Sequence, residues 1–232
     1  MCAGLHCQAK IVRRREVRCC RICILRVRRL SPLAADEAIS DNVALVPSPV
    51  GHAIAGLAAG WLIAGAPARH SPNTSAVRVT PADQPWIATW RGALVFAGLA
   101  VAPDLDLLVH AHSMYTHSIG AALVVFLATA ALTPAHARRW TAACACAAAY
   151  ATHTLLDWMG NDTTPPIGIM ALWPFTSEYY ESNLHFFMAI TRRYWLPGFW
   201  AHNLMAMLRE VGTLVPLAVL VYFLRRPRRN QA

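Results

Sequence analysis

Histidines and aspartates recur at short spacings inside otherwise apolar surroundings in this chain. The phrases are Pro103-Asp104-Leu105-Asp106, then His110, His112 and Thr116-His117-Ser118, then His153 and Asp157, with His52 far upstream. A spacing of four puts His153 and Asp157 on one face of a helix. Pro103 disfavours a regular helix at its position, so Asp104 and Asp106 can turn toward one centre instead of to opposite sides. An aspartate near the middle of a membrane span costs roughly 2.5–3.5 kcal/mol, so such residues persist when paired, metal-bound or facing water. Mixed imidazole and carboxylate ligands suit zinc, with manganese or iron as alternatives, better than calcium, and can build a two-metal centre. The expected ligands are His52, Asp104, Asp106, His112, His117, His153 and Asp157, with Asp106 and His117 as the catalytic candidates and Asp106 as general base.

Each residue also has a plainer reading. His52 can be an interfacial or capping residue, His153 and Asp157 a buried hydrogen-bonded pair, and Asp104 and Asp106 the end of a helix at the water boundary. His110 reads as the spare histidine of its cluster. His70 and His136 fall in loops at the opposite end, while His185 and His202 lie on the site side without a local partner.

The elements that must carry these residues are apolar. Hydrophobic residues make up 56% of the 232 positions and charged ones only 14%, against roughly 25% charged in an average soluble domain. Mean hydropathy is +0.36. That balance excludes a disordered chain and disfavours an ordinary soluble enzyme. Five apolar runs follow one another: Val50–Ala66, Gly92–Val109, Ser118–Thr133, Trp140–Trp158 and Val211–Leu224, the last extendable back through Leu204–Leu208. Each is at or just below the length of one bilayer crossing. Small residues such as Gly56, Gly60 and Ala147–Ala149 favour close packing of helices in a membrane. The expected fold is an all-α polytopic bundle of about four to five transmembrane helices. An aromatic stretch from Trp173 to Trp200 reads as an interfacial or re-entrant segment. If consecutive runs cross in opposite directions, every candidate ligand arrives at the same end of the bundle.

Three regions are expected: a basic head at 1–45, a membrane-embedded domain at 46–224 and a basic tail at 225–232. The head holds nine of the 21 basic residues and five of the seven cysteines. Its charge can meet nucleic acid or an anionic membrane face, but no specific nucleic-acid partner is expected. Cys20 and Cys23 form a single C-x-x-C with no second pair at zinc-finger spacing. A valine codon at Val46 can serve as a bacterial start, which leaves translation of the head open. Without the head, Arg192, Arg193 and Arg209 on the site side face nine arginines on the other. The positive-inside rule then puts the site outside the cytoplasm, and counting the head reverses the balance.

The chain resembles the YdjM-like family of membrane-bound metal-dependent hydrolases. The matching phrases are Pro47-Ser48-Pro49-Val50-Gly51-His52-Ala53, Pro103-Asp104-Leu105-Asp106, His112 with Thr116-His117-Ser118, His153-Thr154-Leu155-Leu156-Asp157 and Leu172-Trp173-Pro174-Phe175. They occur in the family's order over about residues 47–176. Where the family usually has arginine after the first histidine of H-R-x-x-T-H-S, Ser113 stands here, so no phosphate-contacting cation is expected at that point. The family is remotely similar to zinc-dependent phospholipase C and single-strand nuclease folds. The resemblance implies a membrane-bound metal-dependent hydrolase, expected as a multi-pass protein of the inner (plasma) membrane. The placement of the site under the aromatic segment points to a lipid or lipid-linked phosphoester attacked by metal-activated water. The alternative is a non-enzymatic membrane protein, such as a metal-ion or proton transporter. A transporter needs polar groups through the depth of its bundle, whereas these collect at one end. Substrate, metal number and oligomeric state are left open.

Overall fold

The computed structural model describes residues 47–66, 86–109, 113–135, 138–161, 166–191, 194–195 and 197–226. The head at 1–45 and the tail beyond Arg226 lie outside them, as do His70, His110, His112 and His136. The described residues form five helices: α1 (Pro49–Ala64), α2 (Trp90–Val101), α3 (Ile119–Leu132), α4 (Arg139–Trp158) and α5 (Phe199–Arg225). Among them there is no strand, only isolated bridges between Gly160 and Phe187 and between Ile169 and Tyr180. The all-helical expectation holds.

Two boundaries differ from the apolar runs. The run Gly92–Val109 is not one helix: α2 stops at Val101 and tightens into a 3-10 helix over Ala102–Val109. Pro103 lacks the N–H that a continuing α-helix would use. In the other direction, α5 starts at Phe199 rather than near Val211, which draws Arg209 and Glu210 inside it. The aromatic stretch between α4 and α5 is irregular, held by turns and the isolated bridges.

Serine caps begin two helices beside candidate ligands. Ser48 is extended (φ −74°, ψ 156°) and its side chain accepts from the Gly51 N–H, with Pro49 in the first turn. Ser118 caps α3 by accepting from Ala121 N–H, while its hydroxyl donates to the Tyr115 carbonyl at 2.6 Å. Both caps satisfy helix-end N–H groups that would otherwise lack partners.

Helix α1 packs against α2, α4 and α5, and α4 also packs against α2 and α3. Glycine makes the α1–α2 contact feasible. A Cβ on Gly56 would lie 2.3 Å from Ala100 Cβ, and one on Gly60 would lie 2.2 Å from the Phe96 ring. The pair is a G-x-x-x-G, the spacing that lets apolar helices touch backbone to backbone. Ile87, Phe96, Ala142, Ala145 and Ala149 fill the interior beneath it. Large apolar residues cover the outside: Leu123, Val124, Leu127 and Leu132 of α3 are more than half exposed. Small residues inside and large ones outside is the arrangement expected of a lipid-facing bundle. By length and composition α5 is the one described helix able to cross a membrane; α1 and α3 are apolar but shorter.

Candidate metal centre

The ends of four elements meet at the candidate site. His52 comes from the first turn of α1, and Asp104 and Asp106 from the 3-10 helix after α2. His117 closes a one-turn 3-10 helix just before α3, and His153 and Asp157 lie in the last turns of α4. The tighter winding after α2 matters. Two residues apart is about 160° around an α-helix but about 120° around a 3-10 helix. Asp104 reaches His153 (Oδ1 to Nε2, 3.6 Å) while Asp106 reaches His117 (Oδ2 to Nδ1, 3.2 Å).

Hydrogen bonds set the tautomers. His153 Nδ1 lies 2.7 Å from the Ala100 carbonyl, which can only accept, so Nδ1 carries a proton and, in the neutral ring, Nε2 a lone pair. The Thr116 hydroxyl donates to Asp106 Oδ2 at 2.6 Å, leaving its oxygen to accept from His117 Nδ1 at 3.0 Å. Nδ1 of His117 is therefore also the protonated nitrogen, and its Nε2 the bare one. The two bare nitrogens face each other at 3.0 Å. Asp157 Oδ2 completes a triangle with them, 3.3 Å from His117 Nε2 and 3.2 Å from His153 Nε2. With both rings neutral, three electron pairs converge here, a donor set that a cation would complete. Ligands held at 2.0–2.2 Å around a tetrahedral zinc stand about 3.3–3.6 Å apart, close to the spacing seen.

The other oxygen of Asp157 looks elsewhere. Its Oδ1 is 3.2 Å from His52 Nε2, and the His52 ring stacks on His153 with centroids 3.7 Å apart. Two overlapping donor sets result, His52/His153/Asp157 and Asp104/His117/His153, each with its ligand atoms within 4.8 Å of one another. The donors thus fit one ion, or two neighbouring ions bridged by Asp157, whose Oδ1 faces His52 and whose Oδ2 faces His117 and His153, with the single lone pair of His153 Nε2 serving one of them. The Ala100 carbonyl behind His153 and Asp106 behind His117 are the backing that metal-bound imidazoles ordinarily have. His52, His117 and His153 are almost wholly buried, and Asp104 is the most exposed acid of the group, with 10% of its side chain accessible. Burial pushes the His117 imidazole below its ordinary 6.5, against the opposing pull of Asp106 and Asp157, which favours the neutral ligand form.

Residues 48–229 match the family described as YdjM inner membrane protein. The chain belongs to the YdjM inner membrane protein family. No curated protein and no solved structure matches it significantly. The matched span includes every ligand candidate of this YdjM-family chain, and the family description makes it an inner membrane protein.

Six of the seven expected ligands of this YdjM protein come together: His52, Asp104, Asp106, His117, His153 and Asp157. His112 lies outside the described residues. Asp106 stands on the Nδ1 side of His117, away from the bare nitrogens. His202 contacts the Ala189 carbonyl at 2.8 Å and His185 is 3.9 Å from Glu181, so both have local partners, and neither is in a donor set. The sequence pattern holds Thr116 within a matched phrase but gives no sign that it orients Asp106 and His117, or that the Tyr150 hydroxyl donates to its carbonyl at 2.8 Å. Sequence reasoning passed over Glu210, buried in α5. A lone acid interrupting an apolar run was the available signal.

Proposed function

We propose that this YdjM-family chain is a multi-span, metal-dependent hydrolase of the inner membrane, acting on a lipid or lipid-linked phosphoester. The observation that carries the reading is the convergence of His117 Nε2, His153 Nε2 and Asp157 Oδ2 on one point. In this reading His117, His153 and Asp157 hold a divalent cation with Asp104, and His52 joins through the second oxygen of Asp157. Nitrogen and carboxylate donors favour zinc, with manganese or iron next. Such a cation, when bound, lowers the pKa of its water to about 7 and offsets charge developing on a phosphoryl group. The chain's residues do the rest. Thr116 and Asp106 fix the tautomer of His117, and Ala100 fixes that of His153. The engagement of Asp106 with both Thr116 and His117 favours it as the orienting carboxylate over the free base expected from its sequence.

Two features support a lipidic substrate in a membrane setting. A cleft of about 380 Å³ on the outer surface is lined mainly by apolar groups that include Ile119, Ala151, Leu155, Trp158 and Leu172, and by none of the ligand candidates. Its Ser118 and Thr154 directly follow the ligand candidates His117 and His153. The short helices also fit a bundle of four to five spans. The 16 residues of α1 give about 24 Å against a hydrocarbon core of about 30 Å. In this reading the difference is taken up by non-helical backbone, which membranes tolerate where it is buried in protein. The ligands gather at that one end and not through the depth of the bundle, which favours hydrolysis over transport.

Detergent-purified protein should contain stoichiometric zinc, manganese or iron by elemental analysis, and hydrolyse a phospholipid or a chromogenic phosphodiester. His117→Ala and Asp157→Ala should each lose both. Wild-type protein without stoichiometric metal would overturn the reading.

A further inference from the structure

We propose that Glu210 is a positioning residue: its carboxylate completes the cap of α1 from another helix and thereby fixes His52 at the centre. For the part that concerns metal, this rests on the reading above. Glu210 is fully buried midway along α5, a costly place for an acid unless its oxygens are satisfied. Its Oε1 accepts from the Ser48 N–H at 2.9 Å and its Oε2 from the Ser48 hydroxyl. Ser48 Oγ in turn accepts from the Gly51 N–H at 3.1 Å.

In a self-contained capping box, a serine cap is answered by glutamate three residues on, which reaches back to the cap's own N–H. Here the third position is Gly51, and the carboxylate comes from 162 residues away. The glycine is a requirement of that arrangement, since a Cβ at residue 51 would lie 2.7 Å from Glu210 Oε2. The carboxylate also meets the positive end of the α1 dipole. His52 is the next residue, with its Nε2 3.2 Å from Asp157 and its ring stacked on His153. Glu210 thus acts on the centre through Ser48 and Gly51, without being one of its ligands.

Full-length protein in detergent, treated with chelator, is exposed to diethyl pyrocarbonate and the modified histidines located by mass spectrometry. In wild type His52, only 1% exposed, should be protected. Glu210→Gln puts a donor where an acceptor is needed, so His52 should become reactive while His117 and His153 stay protected. Gly51→Ala, which crowds the same carboxylate from the other side, should do the same. The proposal is overturned if His52 stays protected in both variants, or if all three histidines become reactive together, the mark of general loosening. Cobalt(II) titration gives the second readout. Glu210→Gln should bind about 10- to 100-fold more weakly with altered visible absorption, and add nothing to the effect of His52→Ala. A Glu210→Gln variant with wild-type affinity and spectrum refutes the link to the centre. Wild-type protein that binds no cobalt overturns the metal reading instead, and the histidine protection still decides the role of Glu210.

Discussion

Asp157 divides its oxygens, Oδ1 toward His52 and Oδ2 toward His117 and His153, so it is the residue whose loss should cost the centre most. Thr116 offers a sharper test, because it lies outside the donor sets yet orders them. Thr116→Val keeps the shape but leaves Asp106 Oδ2 without its 2.6 Å donor and His117 Nδ1 without its 3.0 Å neighbour. Metal affinity should fall about 10- to 100-fold, and thermal unfolding should show a loss of about 1.5–3 kcal/mol for the lost hydrogen bond to a charged group, Asp106 Oδ2 keeping His117 Nδ1 at 3.2 Å. Metal content unchanged in the valine variant would mean that Asp106 orients His117 unaided. His117 also sets a pH dependence. Its folded pKa lies below the ordinary 6.5, so its contribution to stability is complete above that value and is lost as pH falls through the folded pKa. The difference in stability between wild type and His117→Gln, measured on metal-free protein, should therefore shrink on acidification below pH 6.5.

At the scale of elements, the close approach of α1 and α2 rests on two glycines, and a control lies in the same pair of helices. Gly60→Ala would bring a Cβ to 2.2 Å from the Phe96 ring, whereas a Cβ on Gly98 of α2 meets nothing within 4 Å. Gly60→Ala should lower the stability in detergent by about 1–3 kcal/mol through overpacking. Gly98→Ala should be neutral or up to about 1 kcal/mol stabilising. Equal effects of the two would show that the helices are not in tight contact. Much of this level is legible in the chain. Ser48 with Pro49 and Ser118 mark the starts of α1 and α3, Pro103 marks the end of α2, and alternating helix directions bring His52, Asp104, His117 and His153 to one end. What could not be read depends on partners remote in sequence. Nothing local tells that Asp106 backs His117 while Asp104 faces His153, or that the missing capping glutamate of α1 is supplied by Glu210. The extent of α5 was hidden for the same reason: Arg209 and Glu210 look like a break in an apolar run until Ser48 is seen beside them.

For the whole molecule, an inner membrane family, large apolar side chains facing outward and ligands gathered at one rim leave the direction of insertion as the property that decides where the substrate comes from. Helix α5 ends in Arg225 and Arg226, with Arg228 and Arg229 following in sequence, while Arg192 and Arg193 precede it in sequence and Arg209 lies in its first half. Cationic loops stay in the cytoplasm, so this helix should run with its last turn inward and the candidate metal centre toward the outside. A C-terminal fluorescent-protein fusion should then be bright and a C-terminal alkaline phosphatase fusion inactive. An active phosphatase would reverse the orientation and put the centre at the cytoplasmic face. The nine basic residues of the first 45 positions supply a physical reason for such a reversal, because they precede α1 in sequence and counting them with Arg192, Arg193 and Arg209 gives twelve against nine. The same fusions made on a chain starting at Val46 separate the two influences. If the head governs insertion, removing it should flip the reporter, and if the C-terminal arginines govern it, both chains should report the same side.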